Sequence, residues 1–124
     1  MATRASVIFK ENGKAIGAMY KHWDGYIKGG LGDDLISLIS NGKVGNGISG
    51  SPKLGEYFNG AGCVFATAIA KLKQSVGDVY ICDIESVSHQ GEDYIYTIDV
   101  IGNKIKLSVE HYDEPEKILI DLAN

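Results

Sequence analysis

Several residues able to do chemistry crowd into one short stretch, Lys21-His22-Trp23-Asp24-Gly25-Tyr26, with Lys28 and Gly29-Gly30 just beyond it. Trp23 and Tyr26 offer faces on which a purine can stack, and Lys28 offers a charge for a phosphate. Asp24 can accept from a ribose hydroxyl or an exocyclic amine. Strand alternation places His22 and Asp24 opposite Lys21 and Trp23. Gly25 and the glycine pair break the strand and let backbone approach a ligand. The plainer alternative is a core-plugging Trp23 with His22 and Asp24 bracing each other, the commoner role for an isolated tryptophan.

A second cluster is Asn59-Gly60-Ala61-Gly62, where Asn59 suits an N-cap and free N–H groups suit an anion. It lacks the full spacing of a P-loop or dinucleotide fingerprint, so a capped, closely packed helix start competes with a phosphate cradle involving Lys53. The third, His89-Gln90-Gly91-Glu92-Asp93-Tyr94, reads as a polar hairpin. Its spacing fits no known metal site, but Tyr94 and Tyr96 present aromatic faces at a strand end. Lys106 and Glu110 share a face of a later strand. No Ser or Cys is visibly coupled to a base, and His22, His89 and His111 are dispersed, which weakens an enzyme reading without removing it.

The elements that position these residues follow from periodicity and turn chemistry. Ala5–Phe9 and Ala15–Tyr20 read as strands joined by an Asn12-Gly13 hairpin turn. Leu35, Ile36, Leu38 and Ile39 fit a short amphipathic helix opened by Asp33-Asp34 and ended by Gly42. Gly42 to Gly62 holds seven glycines and little periodicity, which predicts a long irregular connection. Cys63–Ser75 reads as a second helix stopped by Gly77. Asp78–Val87, Asp93–Ile101 and Lys104–Tyr112 read as strands, with Tyr94, Tyr96, Ile98 and Val100 on one face of the middle one. Glu116–Leu122 fits a strand or a helix. The expected fold class is α+β: a single domain, 1–124, with an antiparallel sheet and two main helices packed on it.

With 124 residues and 44% hydrophobic content, one domain can bury a real core. A net charge of −4 argues against tracking a DNA or RNA polymer. The apolar runs are too short for a membrane span, and no secretory segment is evident, so a cytoplasmic protein is expected. Cys63 and Cys82 read as free buried thiols.

The segment Tyr20-Lys21-His22-Trp23-Asp24-Gly25-Tyr26, followed by Leu31-Gly32-Asp33-Asp34-Leu35, resembles a block of small phage, prophage and bacterial proteins. His89-Gln90-Gly91-Glu92-Asp93-Tyr94-Ile95-Tyr96 is similar to a His-Gly-Asp-x-x-Tyr-x-Tyr hairpin with one residue inserted, and Tyr57–Lys73 is similar to the same proteins' central helix. By these three blocks the chain resembles the Thoeris anti-defence family, the first such family described in phages. The resemblance implies a viral or prophage sponge that binds cyclic ADP-ribose isomers made by TIR-domain defence enzymes without cleaving them. It implies homo-dimers or higher homo-oligomers, no cofactor or metal, and in some members binding of cyclic oligonucleotides. The expected ligand-binding residues are His22, Trp23, Asp24, Gly25, Tyr26, Lys28, Asn59, Gly60, Tyr94 and Lys106. Lysines stand in for the family's arginine contacts, because Arg4 is the only arginine. The alternatives are a nucleotide or ADP-ribose hydrolase and a protein–protein interaction module.

Overall fold

The strands Ala5–Glu11 (β1), buried through its first three residues, and Lys14–Lys21 (β2) set the frame of a computed structural model that describes residues 2–111 and 114–123. Asn12 and Gly13 both take positive φ, 50° and 82°, as a tight right-twisted hairpin requires. The remaining strands are β3 (Lys43–Gly45), β4 (Tyr57–Asn59), β5 (Val79–Cys82), β6 (Tyr94–Ile101), β7 (Lys104–His111) and β8 (Lys117–Ala123). The helices are α1 (Leu31–Ser40) and α2 (Gly60–Leu72). Six strands form one sheet in the order β5-β2-β1-β6-β7-β8, and β3-β4 form a separate parallel pair.

The α+β class and the two helices agree with expectation, but the sheet is mixed. Four of its five pairings are antiparallel, and the central one, β1 with β6, is parallel. β5 and β6 therefore run the same way with β2 and β1 between them. Chain leaving β5 must cross the sheet before β6 can begin. The expected long strand Asp78–Val87 accordingly stops at Cys82 and yields to a 3₁₀ turn, Ile84–Ser86. His89–Tyr94 likewise forms the end of this crossing strap, not a hairpin between neighbours. In the glycine-rich 42–62 stretch, Val44 and Phe58 enter the core and bring β3 beside β4. The second helix starts at Gly60, three residues earlier than expected, and ends at Leu72. The undecided terminal segment pairs with β7 as a strand. Tyr112, the expected end of β7, lies outside the described residues.

Both helices contribute to the core on one face of the sheet. Ala5, Val7, Phe9, Met19, Tyr96, Ile98, Val100, Ile105, Leu107 and Val109 form its floor, so the expected one-face set of β6 does line the core. Leu31, Leu35 and Ile39 of α1 and Val64 and Ala68 of α2 complete it. Phe65 stacks on Phe9 with ring centroids 4.3 Å apart and lies on Gly17, where any Cβ would come within 2.5 Å of the ring. Burying each such side chain contributes about 1.5–3 kcal/mol. Cys63 and Cys82 are free thiols, as expected, but only half-buried. Among the described residues, no helix is long and apolar enough to cross a membrane.

Candidate functional site

β2 carries its last residues past the sheet end, and the bend that follows is closed by the chain's own amides. Asp24 turns the backbone with φ of 57°. Gly25 N donates to Thr3 O at 2.9 Å, and Gly25 O accepts from the buried Tyr96 hydroxyl at 2.7 Å. The N–H groups of Leu31, Gly32, Asp33 and Asp34 donate to carbonyls of residues 24–30, and Gly29 N donates to Asp33 Oδ2. A Cβ on Gly30 would lie 2.6 Å from the carbonyl oxygens of Asp24 and Tyr26. The close backbone approach expected here is thus an approach of the chain to itself. Of the glycine amides expected near a ligand, those of Gly25 and Gly29 are already satisfied.

The side chains remain outside. Trp23 keeps 50% of its surface exposed and so does not plug the core. Its ring meets His22 edge-on at 4.5 Å. His22 Nδ1 and the Tyr20 hydroxyl share a 2.9 Å hydrogen bond, and Tyr20 lies 6.2 Å from Tyr80 on the neighbouring β5. A shelf of four rings results: Tyr80, Tyr20, His22 and Trp23. His22 and Asp24 do not brace each other, since Asp24 Oδ1 accepts from the Tyr26 hydroxyl at 3.2 Å. The charge of Asp24 and that bond hold the Tyr26 phenol above its ordinary range.

The crossing strap supplies the shelf's charged border. Glu92 Oε2 accepts from Ser6 Oγ at 2.6 Å and from Ser88 N at 2.9 Å, and Glu92 Oε1 accepts from Gln90 N at 2.7 Å. Burial pushes the Glu92 carboxyl up, but these donors outweigh it and leave it below the usual range. Arg4 donates from Nη1 to Gln90 O at 3.3 Å. Burial raises the Tyr20 phenol, and the positive charge of Arg4 offsets part of that rise. The only arginine therefore borders the shelf.

One carboxylate ties the bend to the opposite face. Asp78, with φ of 63°, accepts from Lys21 Nζ at 2.6 Å and from Trp23 N at 2.9 Å, and its carbonyl accepts from His22 N at 2.8 Å. Burial raises the Asp78 carboxyl, but the bonds from Lys21 and Trp23 carry it below its ordinary value. Lys21 and Asp78 also form part of the wall of an open cleft of about 710 Å³ between α1, the 54–56 turn and the end of α2.

Of the ten expected ligand residues, His22, Trp23, Asp24, Gly25, Tyr26 and Lys28 share this bend. Tyr94 lies on the same end of the sheet in a smaller cleft with Ile27, its ring 4.7 Å from His111. The other three lie elsewhere. Asn59 occupies the N-cap position of α2 without capping it, because its Oδ1 accepts from Gly47 N at 2.7 Å. Next to it, Glu11 Oε1 accepts from Ala61 N, putting a carboxylate where a phosphate cradle was expected. Glu11 ends β1 and the bend adjoins its start, so roughly 20 Å of strand separates them. Lys106 is opposite Asp99 and Asp121, about 17 Å along the sheet from the Tyr94 row. Sequence reasoning missed Arg4, Tyr80 and the shelf role of Tyr20. The signal was present in part, since Tyr20 and His22 are two apart on a strand and so share a face. Nothing local ties Tyr80 or Arg4 to them.

Among the described residues, no group of three or more His, Cys, Asp or Glu stands close enough to hold a metal ion. No family model, curated protein or solved structure matches the chain.

Proposed function

We propose that this protein captures a cyclic ADP-ribose isomer, or a related cyclic nucleotide, and holds it intact, acting as an anti-defence sponge in the bacterial cytoplasm. The observation that carries the reading is the row Tyr80-Tyr20-His22-Trp23, exposed at its two ends and half-buried between them, with the charge of Arg4 acting on Tyr20. Rings held by mutual contacts, with Trp23 and Tyr80 open to solvent, offer stacking surface at little ordering cost, and a guanidinium meets a diphosphate with two parallel donors. The likeness of residues 20–26 and 31–35 to the Thoeris anti-defence family favours this ligand class.

The test is calorimetric titration with cyclic ADP-ribose isomers, followed by heat denaturation and mass analysis of what is released. Recovery of the unaltered compound supports capture, and a product of changed mass supports the hydrolase instead. Trp23→Ala removes one stacking face, which contributes roughly 1–3 kcal/mol, so affinity should fall about 5- to 150-fold while the melting temperature stays within about 2 °C. Unchanged affinity in the folded variant refutes the shelf.

A second reading, contact with another protein surface, is favoured by the edge strand β5. Its Ile81 is 73% exposed and adjoins the exposed Tyr80. Exposed apolar edges invite strand pairing, and a second copy of the chain is the partner this reading takes.

A further inference from the structure

We infer that the cleft between the two helices is a separate binding site for a small aliphatic polycation of the polyamine class. Its size, about 710 Å³, lies in the range of small-molecule clefts. Two helix C-termini meet there, each carrying roughly half a negative charge. Amides close both: Asn41 Nδ2 donates to Ser37 O and Gln74 Nε2 donates to Lys71 O, each at 3.1 Å, while α2 also carries Lys71 in its last turn. α1 has no basic residue in its last turn.

The side chains reinforce that field. Lys21 is neutralised by Asp78 at 2.6 Å. Asp34 and Glu56 then face Lys71 as the remaining charges of the wall. Leu38, Leu54 and Leu72 line the same cleft, and Leu54 is 64% exposed. Carboxylates and carbonyl ends suit ammonium groups, while leucines between them suit the methylenes that join such groups. A bare metal ion uses only the first half of this surface. The site lies across the Lys21–Asp78 pair from the ring shelf and is independent of what the shelf holds.

Titration calorimetry with spermidine at fixed ionic strength tests the assignment, with magnesium chloride as the cation lacking methylenes. Saturable one-to-one spermidine binding, at least tenfold tighter than magnesium, is expected. The exposed pair Asp34→Asn with Glu56→Gln should weaken spermidine at least tenfold; Gln keeps the Oε1 acceptor that Lys53 N uses. Leu54→Ser should weaken spermidine at least threefold and leave magnesium unchanged, with circular dichroism confirming the fold of each variant. Absent spermidine binding, equal magnesium binding, or a double variant that binds like the parent overturns the assignment.

Discussion

Replacing Asp78 by Asn isolates the charge of one carboxylate. Asn tolerates the left-handed backbone at this position, and its Oδ1 still accepts from Trp23 N. What is lost is the anion facing Lys21, whose side chain is only 10% exposed. Removing one partner of a fully buried ion pair costs about 3–5 kcal/mol. Asp78 keeps 27% of its side-chain surface open, on the wall of a solvent-filled cleft, so about 2–3 kcal/mol applies here. For a chain of this length 1 kcal/mol moves Tm by about 3–5 °C, which gives a fall of about 6–15 °C at pH 7.

The pH dependence has a definite sign. Asp78 has a lowered folded-state pKa, so its contribution is complete above the ordinary carboxylate value and is lost as pH falls through the lower folded value. The gap between parent and Asp78→Asn should therefore narrow from pH 7 to pH 3. Differential scanning calorimetry measures both, and emission from the single tryptophan, Trp23, reports whether the bend survives. A loss under 2 °C at pH 7, or a gap unchanged at pH 3, would refute the argument that this pair anchors the end of β2.

Gly30→Ala drives a Cβ onto two backbone oxygens that cannot move aside, and overpacking of that kind costs about 3 kcal/mol. Urea unfolding should show that loss, and Trp23 emission should change with it; parental stability would mean that the bend packs differently. Glu92→Gln removes the charge that four donors converge on, at about 1.5–3 kcal/mol. Hydrogen exchange should quicken in residues 84–92 at pH 7, with the difference fading as pH falls below the ordinary glutamate range because the folded-state pKa is lowered.

Local signals in the sequence determined the type and facing of β1, β2, α1, β6 and β7, but not β3, β4, the early stop of β5 or the terminal strand. Asn12-Gly13 marks a hairpin because few residues tolerate two consecutive positive φ angles. Period-two alternation marks Tyr96, Ile98 and Val100 as one buried face, and helical spacing does the same for Leu35 and Ile39. The cluster at residues 22–28 was equally legible as unusual chemistry at a bend. Which strands become neighbours carries no such local mark. β6 inserts beside β1 in parallel, and β5 is left at the edge. The shelf depends on that order: Tyr80 reaches Tyr20 through the pairing of β5 with β2, and Arg4 meets Gln90 through the crossing strap. Tertiary structure alone also decided that Asn59, Gly60 and Lys106 lie far from Trp23, and that Glu11 takes the helix start expected to cradle phosphate. Side-chain chemistry is written residue by residue; convergence is set by pairings across 50 residues or more, which only burial of the whole chain selects.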